Sequence, residues 1–249
     1  MCSSDLIEPL AEIVGWARAR NLPTHIHAAE QPAELAACVR EYGMTPVELL
    51  ARHQLLSDRF TLVHAIHMTQ NEMDSIAGAG ATICSCPTTE RNLGDGIIAA
   101  KDAMERGIRF AFGSDSQTLI DPLEDARELE YHLRLRDKQR VILDAIAEED
   151  MSRRLFAYAT AGGSHAIGLD GGCLGSGDYA DFFTVDLDHA SVAGSSAEEL
   201  LATLIFSGKL SAIRDVAVGG EWIVRDGRHA AQEEIIRQYT AVSRKVWHA

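Results

Sequence analysis

Four times before residue 140, a short apolar run ends in a polar cluster and then gives way to a helical pattern. Thr24 to Ala28 carries His25 and His27 and leads to Glu30, while Phe60 to Ala65 carries His64 near its end. Ala81 to Cys86 leads to Thr88 and Thr89, and Ile108 to Gly113 delivers Asp115. Apolar residues at Ile7, Leu10, Ile13, Val14 and Ala17 predict a helix before the first run, ended by Asn21-Leu22-Pro23. Gln31-Pro32 opens another helix, and Thr45-Pro46 reads as an N-cap followed by proline at the first helical position. Further helices are predicted over about 70–79, 97–106 and 123–136. Strands that alternate with helices every ~20–40 residues indicate βα units and a parallel sheet. The fold class is therefore α/β, and four units are half of a (β/α)8 barrel, whose chemistry sits at the C-terminal strand ends.

The remainder changes character. Arg153 to Ala161 reads as a helix, followed by Gly162-Gly163 and a glycine-rich stretch from Gly168 to Gly177. Asp181 to Asp186 is a predicted strand. Asp215 to Val218 and Glu221 to Val224, joined by Gly219-Gly220, predict a hairpin with a favoured two-glycine turn. Asp226-Gly227 marks the next turn, and an amphipathic helix spans about 231–246. The predicted division is a barrel portion over 7–170, a small β element over 171–230 and a terminal helix over 231–249. Residues 1–6, Met1-Cys2-Ser3-Ser4-Asp5-Leu6, read as a non-native leader resembling a translated sequencing adapter.

Composition excludes some partners. Over 249 residues the formal charge is −14, which argues against nucleic acid or an anionic membrane. No run of about 18 apolar residues exists to span a bilayer, and Met1 to Leu10 has no basic n-region of a signal peptide. Five scattered cysteines, Cys2, Cys38, Cys84, Cys86 and Cys173, suit a reducing cytoplasm. Cys84-x-Cys86 lacks the second pair of a zinc ribbon and reads as two plain strand cysteines.

The chemistry lies at the strand ends. Period-two alternation puts His25 and His27 on one side of their strand. Imidazole is a good zinc ligand, and Glu30 is placed to manage protons for an activated water. The same pair also reads as strand-end histidines without a role. His64 in His64-Ala65-Ile66-His67, taken singly, reads as structural, and Gly113-Ser114-Asp115-Ser116 as a common turn. Three ionisable clusters at three strand ends of one sheet are much more specific than any one of them.

The order His27-x-x-Glu30, His64-x-x-His67 and Gly113-Ser114-Asp115-Ser116 resembles strands five, six and eight of the amidohydrolase superfamily, in its deaminase branch. The run Cys86-Pro87-Thr88-Thr89-Glu90-Arg91-Asn92-Leu93-Gly94-Asp95-Gly96 on the seventh-strand loop is similar to the formimidoylglutamate deiminases of histidine degradation. So are Glu128 to Tyr131 and Val224 to His229. The resemblance implies that this is the C-terminal half of a (β/α)8 TIM-type barrel, strands five to eight. After it come a small β element of a composite sandwich and a C-terminal helix. It makes His27 and Asp115 metal ligands, Glu30 the proton shuttle, His64 the residue that orients water or the tetrahedral centre, and Asp115 also the base. Glu90 is expected to touch substrate, whereas His25 and His67 receive no role.

The resemblance further implies one Zn2+ per intact site, with iron or manganese tolerated by the same ligands. The expected substrate is a small molecule, N-formimino-L-glutamate, hydrolysed to N-formyl-L-glutamate and ammonia. A homodimer is compatible with it. Superfamily members also use a His-x-His pair on strand one. Only three βα units separate His25-Ile26-His27 from the Gly-Ser-Asp strand where seven would be needed, so that pair is absent. With two expected ligands and two open parallel edges, the chain as written is expected to be inactive and poorly folded. Two other readings stay open: a ring deaminase of the guanine, cytosine or chlorohydrolase kind, and a non-enzymatic scaffold. A ring substrate wants aromatic stacking partners, of which these strand ends offer few.

Overall fold

Helix α1 (Ile7–Arg18) buries Val14 and Ala17 and ends before Asn21, whose φ of 54° turns the chain into the first strand. The computed structural model describes residues 7–116, 119–145 and 150–247; the leader reading over 1–6 falls outside them. The chain divides into two units, one reaching Gly172 and the other starting at Cys173.

In the first unit β1 (Thr24–Ala28), β2 (Phe60–His64), β3 (Thr82–Ser85) and β4 (Arg109–Phe112) form a parallel sheet in that order. Helices α2 (Pro32–Tyr42) and α3 (Pro46–Arg52) connect β1 to β2, and α4 (Gln70–Ala79) connects β2 to β3. Helices α5 (Pro87–Leu93) and α6 (Ala100–Glu105) lead to β4, and α7 (Pro122–Asp137) and α8 (Met151–Ala157) follow it. Each crossover moves one place in the same direction. Every residue of β2 is buried, because a parallel strand flanked by crossover helices has both faces covered. Burying Leu62 and Phe60 contributes about 1.5–3 kcal/mol each.

Local chemistry fixes the helix starts. Thr69 accepts from the Glu72 N–H while the Glu72 carboxylate accepts the Thr69 N–H at 2.7 Å, a capping box for α4. The Asp121 carboxylate accepts N–H bonds from Leu123 and Glu124 at the start of α7. Residues 87–93, read from sequence as a loop, form α5. Pro87 at its first position has the φ a helix needs and no N–H to lose, and Gly94 (φ 73°) ends the helix. The predicted helix over 153–161 is split: α8 passes into a π-turn, Tyr158–Gly162, and then α9 (Gly163–Ala166). The turn packs so closely on β4 that a Cβ at Gly162 would lie 2.1 Å from the Phe110 carbonyl oxygen. Only glycine fits there.

In the second unit β5 (Phe182–Val185), β6 (Ile213–Val218), β7 (Glu221–Arg225) and β8 (Arg228–His229) form an antiparallel sheet in that order, with α10 (Leu200–Phe206) between β5 and β6. Gly219 and Gly220 have φ of 58° and 80°, as the predicted hairpin turn requires. Helix α11 (Gln232–Trp247) buries none of its described residues. No helix among the described residues is long and apolar enough to cross a membrane.

Candidate active site

The register of the parallel sheet decides which side chains can meet. His27 pairs with Val63, and Ala28 with His64. Simple alternation would therefore put His64 on the face opposite His27. The backbone breaks the pleat instead. His64 and Ala65 take φ of 72° and 51°, Ala29 takes 57°, and Asp115 takes 43° beyond β4. Such left-handed non-glycine residues cost energy and persist only where their surroundings over-determine them.

The consequence is convergence. The His27 and His64 rings meet edge to face with centroids 5.0 Å apart. His27 Nε2 lies 3.7 Å from Asp115 Oδ1, and His27 Nδ1 lies 4.0 Å from Glu30 Oε2. His64 Nε2 lies 3.8 Å from Glu30 Oε2 and 4.0 Å from Asp115 Oδ2. His64 is wholly buried, whereas the His27 side chain is 57% exposed and those of Glu30 and Asp115 about one-fifth. His27, Glu30 and His64 each offer a ligand atom within 4.8 Å of the others, an arrangement able to hold a metal ion.

Buried partners hold the cluster in place. The Glu34 carboxylate accepts the N–H groups of Ala29 and Glu30 at 3.0 and 2.8 Å, pinning the turn that presents Glu30. Thr89 Oγ1 donates to the Ser114 carbonyl at 2.9 Å, tying α5 to the loop that carries Asp115. Glu90 is 2% exposed and accepts from the Cys86 N–H at 2.7 Å, from Ser85 Oγ, and from His64 Nδ1 at 3.3 Å. Accepting at Nδ1, Glu90 turns the other ring nitrogen of His64 toward Glu30 and Asp115.

Burial disfavours a charged His64, but the hydrogen bond and charge of Glu90, with Glu30 and Asp115 beyond it, outweigh that and raise its pKa. The Nε2 atom of His64 is buried without a hydrogen-bond partner, and so is Asp95 Oδ2. Asp95 received no role from sequence, yet it lies beside the cluster. Its carboxylate accepts from Gln31 Nε2, and its carbonyl accepts from His67 Nε2 at 2.8 Å. Burial and then the charge of Glu30 raise its pKa, which His64 and Gln31 counter only in part. His25 donates to the Ala166 carbonyl at 2.7 Å and joins α9 rather than the cluster. The sequence signal for Asp95 was its place five residues after Glu90; the fold shows what that spacing does, because the Asp95 N–H closes on the Glu90 carbonyl.

Residues 1–223 match the amidohydrolase family. The chain is 39% identical to formimidoylglutamate deiminase of Pseudomonas aeruginosa over 222 residues, 89% of this chain and 49% of that protein. It is 29% identical to 5-methylthioadenosine/S-adenosylhomocysteine deaminase of Pyrococcus abyssi over 244 residues, 97% of this chain and 55% of that one. Among solved structures it is similar to atrazine chlorohydrolase of Arthrobacter aurescens complexed with zinc, with TM-score 0.78 and 26% identity, covering 92% of this chain and 50% of that one. The chain thus spans about half the length of the relatives it matches.

Proposed function

Since this chain belongs to the amidohydrolase family, we propose that it serves the hydrolytic deimination of N-formimino-L-glutamate to N-formyl-L-glutamate and ammonia. Its four parallel strands act as strands five to eight of an eight-stranded barrel, whose other strands lie in the part of the relatives that this chain does not span. The observation that carries the reading is the convergence of His27, Glu30, His64 and Asp115 at the same ends of adjacent strands. Scattered cysteines in odd number support a cytoplasmic setting for the reaction.

The residues fit a divalent metal. A buried ring nitrogen of His64 has no partner and faces two carboxylates across 3.8 and 4.0 Å, gaps too long for hydrogen bonds. Mixed imidazole and carboxylate donors suit zinc. His27 and Asp115 would hold it, with further ligands from the unspanned part. When bound, zinc supplies Lewis-acid activation of water at neutral pH. Asp115 accepts the proton of the attacking water, and Glu30 delivers a proton to the departing nitrogen, which leaves as ammonia. His64 faces the oxygen of the tetrahedral carbon, with its ring held by Glu90. The burial of Glu90 and its bond to His64 favour this positioning role over contact with substrate.

The Pyrococcus abyssi relative keeps a purine-nucleoside substrate as the second reading. One experiment separates them. The chain is co-expressed with the N-terminal half of the Pseudomonas aeruginosa deiminase, and ammonia release is measured from N-formimino-L-glutamate and from 5-methylthioadenosine. Release from the formimino compound, abolished by Asp115→Asn, is the expected result; a higher kcat/KM for the nucleoside sinks the proposal. The chain by itself is expected to release none.

A further inference from the structure

Cys84 and Cys86 take no part in the proposed reaction, yet the sheet brings their thiols together on the side of the cluster. Cys84 pairs in register with Val63 on one side and Ala111 on the other, and Val63 pairs with His27. Cys84 therefore shares the face of His27. Cys86 follows two residues later, at the bend where β3 passes into α5. Both sulfurs border Gly113: a Cβ built there would lie 3.0 Å from Cys84 Sγ and 3.2 Å from Cys86 Sγ. The two sulfurs are no farther apart than the sum of those distances, and both stand so close to Gly113 that a side chain there would collide with them. Each cysteine is free, with Cys84 half-buried and Cys86 buried.

We propose that Cys84 and Cys86 form a dithiol site for a neutral trivalent arsenical. The surroundings select among thiol-seeking ligands. The Cys84 sulfur, burial and the charges of Glu90 and Asp115 all hold the Cys86 thiol protonated. A soft divalent cation would need both thiols ionised in this acidic setting. Disulfide formation must begin with a thiolate. An arsenical of the type R–As=O needs neither. It condenses with two neutral thiols, breaking two S–H bonds and the As=O bond, forming two As–S bonds and releasing one water, with no change in oxidation state. Sequence alone gave this pair as plain strand cysteines; the close approach of both sulfurs to one glycine after the neighbouring strand is what changes the reading.

The test treats the purified full chain with phenylarsine oxide, removes loosely held arsenical with excess mercaptoethanol, and weighs the protein by mass spectrometry. One phenylarsenic group per chain is expected to survive the monothiol, to leave with dimercaptopropanol, and to map to the peptide holding both Cys84 and Cys86. Cys84→Ser and Cys86→Ser each abolish retention, whereas Cys38→Ser and Cys173→Ser keep it. A flexible Cys-x-Cys peptide also binds arsenicals, so Gly113→Ala asks whether the fold builds the site. Its methyl group would collide with both sulfurs and displace them from each other, and adduct formation should slow several-fold in the native chain while staying unchanged in urea. No retained group, mapping to other cysteines, retention in Cys86→Ser, or native Gly113→Ala reacting like the parent would each overturn the proposal.

Discussion

The two sheets of this chain have the same number of strands and opposite characters. In the parallel sheet β2 is buried from end to end, and α7 buries seven residues. In the antiparallel sheet β7 exposes all but Val224, and α11 buries nothing. Both helices have clear apolar periodicity, so a helical stripe tells which face seeks cover and not what covers it. The contrast also explains where the chemistry sits. His64 and Ala65 hold left-handed backbone where both are wholly buried, so the packing of the first unit sustains the geometry of the site.

The largest effect should come from the centre of the parallel sheet. Leu62→Ala removes a wholly buried side chain from β2 and is expected to cost about 2–5 kcal/mol. Urea unfolding with hydrogen exchange at the β2 amides measures it. A loss below that range would mean the parallel sheet is no better packed than its antiparallel counterpart.

Asp125 sharpens the contrast through pH. It lies 1% exposed on α7, accepting from the Thr88 N–H at 3.1 Å and Thr88 Oγ1 at 2.9 Å. Burial pushes its pKa from 3.8 up to about 6, against the opposing Thr88 bonds. A raised carboxyl pKa means the folded state holds the proton more tightly. Its contribution is therefore fully present below pH 3.8 and lost as pH rises through about 6. The difference is on the order of 3 kcal/mol. Asp125→Asn keeps an oxygen for Thr88 and never ionises. It should stabilise the chain at pH 8 and change it little at pH 4, in paired urea titrations. Equal effects at both pH values would show that this carboxyl is not buried as the first unit's packing requires.

Glu90→Gln tests the interior of the site itself. If Glu90 orients His64 toward the tetrahedral carbon, kcat for ammonia release should fall about 100-fold while zinc content stays unchanged. The chain co-expressed with the N-terminal half of the Pseudomonas aeruginosa deiminase reads both in one sample. An unchanged kcat would remove Glu90 from the account of the site.

Much of the first unit was legible because its strands and helices differ in period, and because each polar cluster followed an apolar run. Residues 27, 30, 64 and 115 could be paired with strand ends on that basis alone. The way His64 reaches them could not, since alternation in Phe60–His64 points it away and only a φ of 72° brings it back. The hydrogen bond of Glu90 to His64 was hidden for a related reason. The partner His64 is 26 positions distant, and no local pattern reports a hydrogen bond between a strand end and a helix of the next βα unit. Helix α5 was hidden because residues 86–96 were read as one loop, whereas Pro87 sits at the one helical position that suits it. Asp95 stood in full view inside a motif, but its buried, unpartnered oxygen is a property of packing.

The smallest effect is expected in α11. Ile235, Tyr239, Val242 and Val246 follow helical spacing and are 55%, 72%, 58% and 63% exposed. A methyl-sized loss from a side chain already in water has neither a cavity to open nor contacts to forfeit. Val242→Ala should therefore stay within about 0.5 kcal/mol of the parent. Alanine also has the higher helix propensity, which works against even that small loss. The same urea titration that measures Leu62→Ala measures this variant. If Val242→Ala costs as much as the β2 substitution, the stripe on α11 is covered in solution, and the difference drawn between the two units disappears.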